Sequence, residues 1–302
     1  MAASHTTRFQ DRYWWSNDGL RLHARDYVPS GGGSSDRPAV VCLPGLTRNA
    51  RDFEEVAEQL ADQGWRVLAL DFRGRGESAF APDPMSYVPL TYVQDLERLL
   101  VELQLERIVA IGTSLGGIVT MLLAGADRER LAGAVLNDVG PVIEPAGLER
   151  IRGYVGRASW WPTWLHAARA VAEVNADAYP HYRVEEWLAM AKRLYRLNAA
   201  GRVVLDYDIR IAEPFRLPGS EAGPDMWRAL DGLAELPLLV VRGARSDVLS
   251  DVTARAMVAR LGEDAELVTV ADVGHAPALD EPAAREGIER LLARVERTLG
   301  LG

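Results

Sequence analysis

The sharpest chemical signal in the chain is the run Gly112-Thr113-Ser114-Leu115-Gly116, followed by Gly117. An apolar run at 107–111 leads into it and an apolar helical pattern at 118–124 leads out. A serine on a sharp turn between a strand and a helix presents its hydroxyl at the sheet edge. That turn demands small residues two places before and two places after the serine, and Gly112 and Gly116 supply them. The helix N-terminus also aims the Leu115 N–H at the place where negative charge would develop on an attacked carbonyl. The pattern predicts Ser114 as a nucleophile for acyl chemistry.

A serine nucleophile needs a base, and the histidines stand at positions 5, 23, 166, 181 and 275. His5 is near the terminus, His23 falls on a predicted strand, and His166 and His181 belong to a helical insertion, where they read as packed or solvated, with contact to substrate as the alternative. His275 sits in Val273-Gly274-His275-Ala276-Pro277, just after the last apolar run. Loops at the carboxyl ends of parallel strands gather into the ligand crevice, so His275 is the expected base. A third group must orient the imidazole and stabilise its charged form. Asp138 and Asp247 both lie just past strand ends, between the serine and the histidine in chain order. Asp247 is favoured, because it follows the strand neighbouring the one that leads to His275. A second oxyanion donor is expected from the loop Leu43-Pro44-Gly45-Leu46-Thr47-Arg48-Asn49, where Gly45 lets the chain turn and Leu46 offers its N–H.

These groups need a scaffold, and the hydropathy pattern supplies one. Strands are expected at 11–16 and 20–28, joined by the turn Asn17-Asp18-Gly19, and then at 39–43, 66–70, 107–112, 131–137, 236–242 and 266–270. A glycine-serine loop at 31–35 reads as flexible. Helical patterns cover 53–63, 91–103, 114–126, 226–233, 253–260 and 280–299. Strands apolar throughout and separated by helices imply an α/β architecture, a mostly parallel twisted sheet with helices on both faces and an antiparallel entry. Between 141 and 224 the alternation stops. That stretch shows no convincing strand, holds helical patterns at 160–175 and 184–199, and carries Trp160, Trp161, Trp164 and Trp187. The expected organisation is a core of 1–140 with 225–302, and a helical cap inserted at 141–224. In the insertion, Trp160, Trp161, Trp164 and Tyr154 either line an apolar acyl pocket or pack helix on helix.

The 302-residue chain is 48% hydrophobic and 25% charged, and 43 acidic against 34 basic residues leave a net charge of -9. Such a surface repels phosphate backbones and anionic lipid, so the expected partner is a small molecule rather than nucleic acid or membrane. Lys192, the sole lysine, lies in a charged amphipathic stretch and reads as solvated, which argues against Schiff-base chemistry. Cys42 is alone and lies in the apolar run Ala39-Val40-Val41-Cys42-Leu43, where it reads as a buried small hydrophobe. No Cys/His spacing calls for a metal, and Gly74-Arg75-Gly76 does not open a helix as a dinucleotide fingerprint would. No cofactor is expected. Residues 1–8 lack an apolar signal-peptide core and no run of about 18 apolar residues occurs, so a cytoplasmic location is expected.

Taken together, Gly112–Gly116, the run Asp71-x-Arg73-Gly74-x-Gly76-x-Ser78, Gly243 to Asp247 and Gly274-His275 resemble the α/β-hydrolase superfamily over nearly the whole chain. The resemblance implies that fold, a triad of Ser114, Asp247 and His275, oxyanion donors at Leu46 and Leu115, and an insertion that lies over the site as a lid. One departure is that the family usually carries His-Gly where this chain has Pro44-Gly45. A serine at 114 also separates the chain from relatives that use a carboxylate nucleophile, such as haloalkane dehalogenases and epoxide hydrolases. The expected activity is hydrolysis of a carboxylic ester with a small to medium apolar substrate. Lactone or enol-lactone opening, C–C bond hydrolysis of a diketone with Arg152, Arg157 or Arg183 as anion-binding groups, a perhydrolase side activity, and a catalytically silent receptor are the alternatives.

Overall fold

A computed structural model describes residues 8–29, 36–216 and 224–301. The glycine-serine loop at 31–35 and the segment holding His5 lie outside the described residues. Strands β1 (Gln10–Trp15) and β2 (Arg21–Tyr27) form the antiparallel entry, closed by the turn in which the Ser16 N–H donates to the Leu20 carbonyl at 2.9 Å. Then come β3 (Ala39–Leu43), α1 (Glu54–Asp62), β4 (Val67–Asp71), α2 (Pro89–Glu102), β5 (Ile108–Thr113), α3 (Leu115–Ala126) and β6 (Leu131–Asn137). An insertion follows, with α4 (Pro145–Tyr154), β7 (Trp160–Trp161), α5 (Trp164–Asn175), α6 (Val184–Leu194), β8 (Tyr195–Leu197) and β9 (Val203–Leu205). The chain closes with α7 (Met226–Asp231), β10 (Leu238–Gly243), α8 (Asp251–Leu261), β11 (Ala265–Val270) and α9 (Pro282–Leu299).

The main sheet has the order β1-β2-β4-β3-β5-β6-β10-β11. All neighbours from β4 to β11 are parallel, and only β2 runs against the rest. Strands β3, β4, β6 and β10 are buried along their whole length, as runs covered on both faces must be. One apolar cluster, with Leu96, Val119 and Leu230, fills one face, and another, with Phe53, Leu60 and Leu291, fills the opposite face. Cys42 is fully buried, and burial pushes its thiol well above the ordinary range. Helices α2 and α9 begin with Pro89 and Pro282, a position where the missing N–H costs nothing, so each starts within two residues of the expected place.

The insertion differs from expectation. It contains a small antiparallel sheet in the order β7-β9-β8 and an additional helix, α4. Strands of two or three residues are too short to show alternation, which is why the sequence reads as strandless there. A third apolar cluster, built on Ala167, Val171, Trp187 and Met190, gives the insertion its own small core.

Candidate active site

Ser114 sits at the junction of β5 and α3 with φ 52° and ψ -113°, a strained conformation for a residue with a side chain. Its glycine neighbours make the turn feasible. A Cβ at Gly116 would lie 1.9 Å from the Leu43 carbonyl oxygen, and one at Gly112 would lie 2.5 Å from the Gly116 backbone. The strand-to-helix bend is therefore packed backbone against backbone, and no larger residue fits at either place.

His275 follows β11 and reaches back along the carboxyl edge of the sheet. Its Nε2 lies 3.0 Å from Ser114 Oγ, and its Nδ1 lies 2.8 Å from Oδ2 of Asp138. An ionised carboxylate only accepts, so Nδ1 carries the proton and Nε2 is left to accept from the serine. Asp138 is fully buried directly after β6, the sheet neighbour of β5. Its Oδ1 accepts from the Gly243 N–H at 2.9 Å and its Oδ2 also accepts from Ser246 Oγ at 2.6 Å. Three donors compensate the desolvation of this carboxylate and fix its orientation.

Asp247, favoured from the sequence, does not meet His275. Arg150 of α4 holds its two oxygens in a fork, Nε to Oδ2 at 2.6 Å and Nη2 to Oδ1 at 2.8 Å. That pairing holds the Asp247 carboxyl below the ordinary carboxylate range despite partial burial. The correction has a topological reason: β6 lies between β5 and β10, so the residue closing β6 is nearer the serine than one beyond β10. Asp247 instead ties the insertion to the core, where α4 packs so closely that a Cβ at Gly147 would lie 2.4 Å from the Asp247 carbonyl oxygen.

Gly45 and Leu46 lie on the loop after β3 and share a cavity of about 440 Å³ with Ser114 and His275. The Leu115 N–H, at the first position of α3, has no carbonyl a turn behind it. The Leu46 carbonyl accepts from Nε of the buried Arg75 at 2.9 Å, which fixes this loop from beneath. The insertion supplies the opposite wall: Tyr154, Trp161, Tyr179, Met190, Arg193 and Tyr195 all face the cavity. Burial is the main cause that raises the phenol pKa values of Tyr154, Tyr179, Tyr195 and Tyr207, the last to about 12, so these rings are neutral hydrogen-bonding groups. Tyr179 donates from its hydroxyl to the Ala276 carbonyl at 2.6 Å and the Gly274 N–H donates to the Ala178 carbonyl at 2.7 Å, so the insertion grips the histidine loop.

Of the expected aromatic pocket residues, Trp161 and Tyr154 reach the cavity, whereas Trp160 and Trp164 do not. Successive residues on a strand face opposite sides, and with Trp161 turned inward Trp160 is 56% exposed beneath the guanidinium of Arg202. Trp164 packs against the insertion's own core. Arg48, Asp52, Arg150 and Arg193 line the cavity and carried no sequence signal, since nothing in their spacing brings the loop after β3 to the end of α6.

The comparisons with known proteins agree with this architecture. The model of the alpha/beta hydrolase family matches residues 40–285. A 3-hydroxybutyrate-oligomer hydrolase of Cupriavidus necator is 36% identical over 269 residues, covering 87% of this chain and 90% of that protein. An esterase of Mycobacterium tuberculosis is 27% identical over 259 residues, covering 84% of this chain and 81% of the esterase. The crystal structure of an alpha/beta hydrolase from Novosphingobium aromaticivorans superposes with a TM-score of 0.89 at 55% identity, covering 95% of this chain and 99% of that one. On the parallel sheet, the serine bend and this match over most of its length, the chain belongs to the α/β-hydrolase family.

Proposed function

We propose that the chain is a serine hydrolase that cleaves carboxylic esters of small to medium size through an acyl-enzyme, with Ser114, His275 and Asp138 as its triad. The observation that carries the reading is the continuous line Ser114 Oγ, His275 Nε2, His275 Nδ1 and Asp138 Oδ2, with contacts of 3.0 and 2.8 Å, opening on one cavity. The names of two relatives, an oligomer hydrolase and an esterase, support ester bonds over other targets.

His275 takes the Ser114 proton as the serine oxygen adds to the ester carbonyl, and Asp138 stabilises the imidazolium that forms. The oxyanion is held by the N–H groups of Leu46 and Leu115. His275 then returns its proton to the departing alkoxide, the alcohol leaves, and water enters by the same base to release the acid and restore Ser114. The insertion acts as a lid whose tyrosines and Trp161 enclose the acyl chain. The partner is a small molecule and, with a net charge of -9, neither nucleic acid nor an anionic membrane.

Hydrolysis of p-nitrophenyl esters from acetate to octanoate tests the reading. Ser114→Ala is expected to remove turnover by several orders of magnitude while the protein stays folded. Unchanged turnover in that variant would refute it.

A further inference from the structure

The charge balance along the cavity wall is uneven. Arg48, on the loop after β3, spends its Nε and Nη2 on the two oxygens of Asp52, the latter at 2.8 Å. Arg193, at the end of α6, approaches the same carboxylate from the insertion, with Nε 3.8 Å from Oδ1. Among the described residues no second carboxylate lies within 4.0 Å of either guanidinium. Arg150 is held by Asp247, and Arg157 and Glu173, of opposite charge, both stand exposed at the mouth. Arg48 and Arg193 together therefore carry one more charge than the carboxylate they share, and all three groups line the cavity that holds Ser114 in a protein whose net charge is -9.

The backbone that carries Arg193 is tied to the core. The Arg193 carbonyl accepts from Arg51 Nη2 at 2.8 Å and from Asn49 Nδ2 at 2.8 Å, which pins the end of α6 to the core. Arg48 lies close to the nucleophile, for the place a Cβ would occupy on Gly45 is 3.2 Å from Arg48 Cγ and 3.8 Å from Ser114 Cβ. A guanidinium pair sharing one carboxylate, in a partly desolvated pocket, is built to receive a second carboxylate.

We propose that Arg48 and Arg193 bind a carboxylate carried by the substrate, so that the preferred ester is anionic: a half-ester of a diacid or an ester of a hydroxy acid. This rests on the serine-hydrolase reading of the same site. The guanidiniums anchor the charged end while Ser114 attacks the ester carbonyl a few bonds away, and the neutral tyrosine wall takes the apolar remainder.

The test compares kcat/KM for matched pairs. The mono-p-nitrophenyl ester of adipic acid against p-nitrophenyl hexanoate puts the carboxylate on the acyl side. 3-(Butanoyloxy)butanoate against pentan-2-yl butanoate puts it on the alcohol side. In at least one pair the anionic ester is expected to be preferred by more than about 5-fold at low salt, with the preference shrinking in 0.5 M NaCl. Arg193→Gln is expected to cut the anionic-to-neutral ratio roughly 10- to 100-fold, mainly through KM, and Arg193→Lys to restore part of it. A preference of about 5-fold or less in both pairs, or an Arg193→Gln effect equal on both members, overturns the proposal. If the variant does not fold, competition in the wild-type protein decides. Adipate against hexanoate and 3-hydroxybutanoate against pentan-2-ol are the comparisons; in at least one the molecule with the extra carboxylate is expected to inhibit p-nitrophenyl hexanoate hydrolysis at least about 5-fold more strongly, and weaker discrimination in both overturns the proposal. Absence of turnover by the wild-type protein on every one of these esters would instead refute the serine-hydrolase reading, so the two failures are distinguishable.

Discussion

Replacing Asp138 by asparagine changes the shape of the site least and its chemistry most. The carboxylate now accepts from Gly243 N–H, Ser246 Oγ and His275 Nδ1, and an amide keeps only one accepting atom. With its oxygen left on Gly243, the new NH2 group faces His275 Nδ1 and donates to it. The imidazole proton then moves to Nε2, where it can no longer accept from Ser114. The expected loss is about 10³- to 10⁴-fold in kcat, or about 4–5.5 kcal/mol of transition-state stabilisation. Asp247→Asn, by contrast, weakens a partly buried ion pair with Arg150 that does not touch His275, and is expected to leave kcat within a few-fold. Steady-state hydrolysis of p-nitrophenyl butyrate by both variants, with circular dichroism melts to show that each is folded, measures the difference. A large loss in Asp247→Asn with near-normal Asp138→Asn would refute the assignment of the acid.

Two further outcomes follow from the packing. Gly116→Ala places a methyl 1.9 Å from the Leu43 carbonyl oxygen, so denaturant titration is expected to show destabilisation at or above the upper end of the usual 1–3 kcal/mol for overpacking, roughly, with activity lost in what still folds. His23 is buried between Asp71 at 2.7 Å and Asp11 at 2.9 Å; burial opposes its charge, but these two carboxylates outweigh it and raise its pKa above the ordinary 6.5. A raised folded-state value means that the protonated ring stabilises the fold fully below pH 6.5 and less as pH climbs through the folded pKa. The Tm gap between wild type and His23→Asn is therefore expected to narrow from pH 6 to pH 9 by calorimetry, and a gap that widens would contradict it.

Much of this molecule is written locally. Ser114 is legible because the bend that exposes it requires glycine at 112 and 116, and His275 because it alone of the histidines follows the last apolar strand. The parallel sheet is legible because strands covered on both faces are apolar throughout. The carboxylate that meets His275 was less so, since choosing between Asp138 and Asp247 depends on the order of strands across the sheet rather than along the chain. A signal was nevertheless present. Asp138 continues the apolar run Leu131–Asn137 and must be buried, which demands partners, whereas Asp247 stands among Arg245 and Ser246. The short strands of the insertion and its cavity arginines were not legible, because pairing over two or three residues and the approach of Arg48 and Arg193 to one carboxylate, Asp52, are set only by tertiary packing.

The account depends most directly on a hydroxyl at 114 made reactive by the imidazole beside it. Incubation of the folded protein with a fluorophosphonate, followed by peptide mass spectrometry, reads that property at a single residue. A stoichiometric adduct on Ser114, absent from Ser114→Ala and slowed at least about 100-fold in His275→Ala, is the predicted result. Folded protein that stays unlabelled, or labels at the same rate without His275, would contradict it.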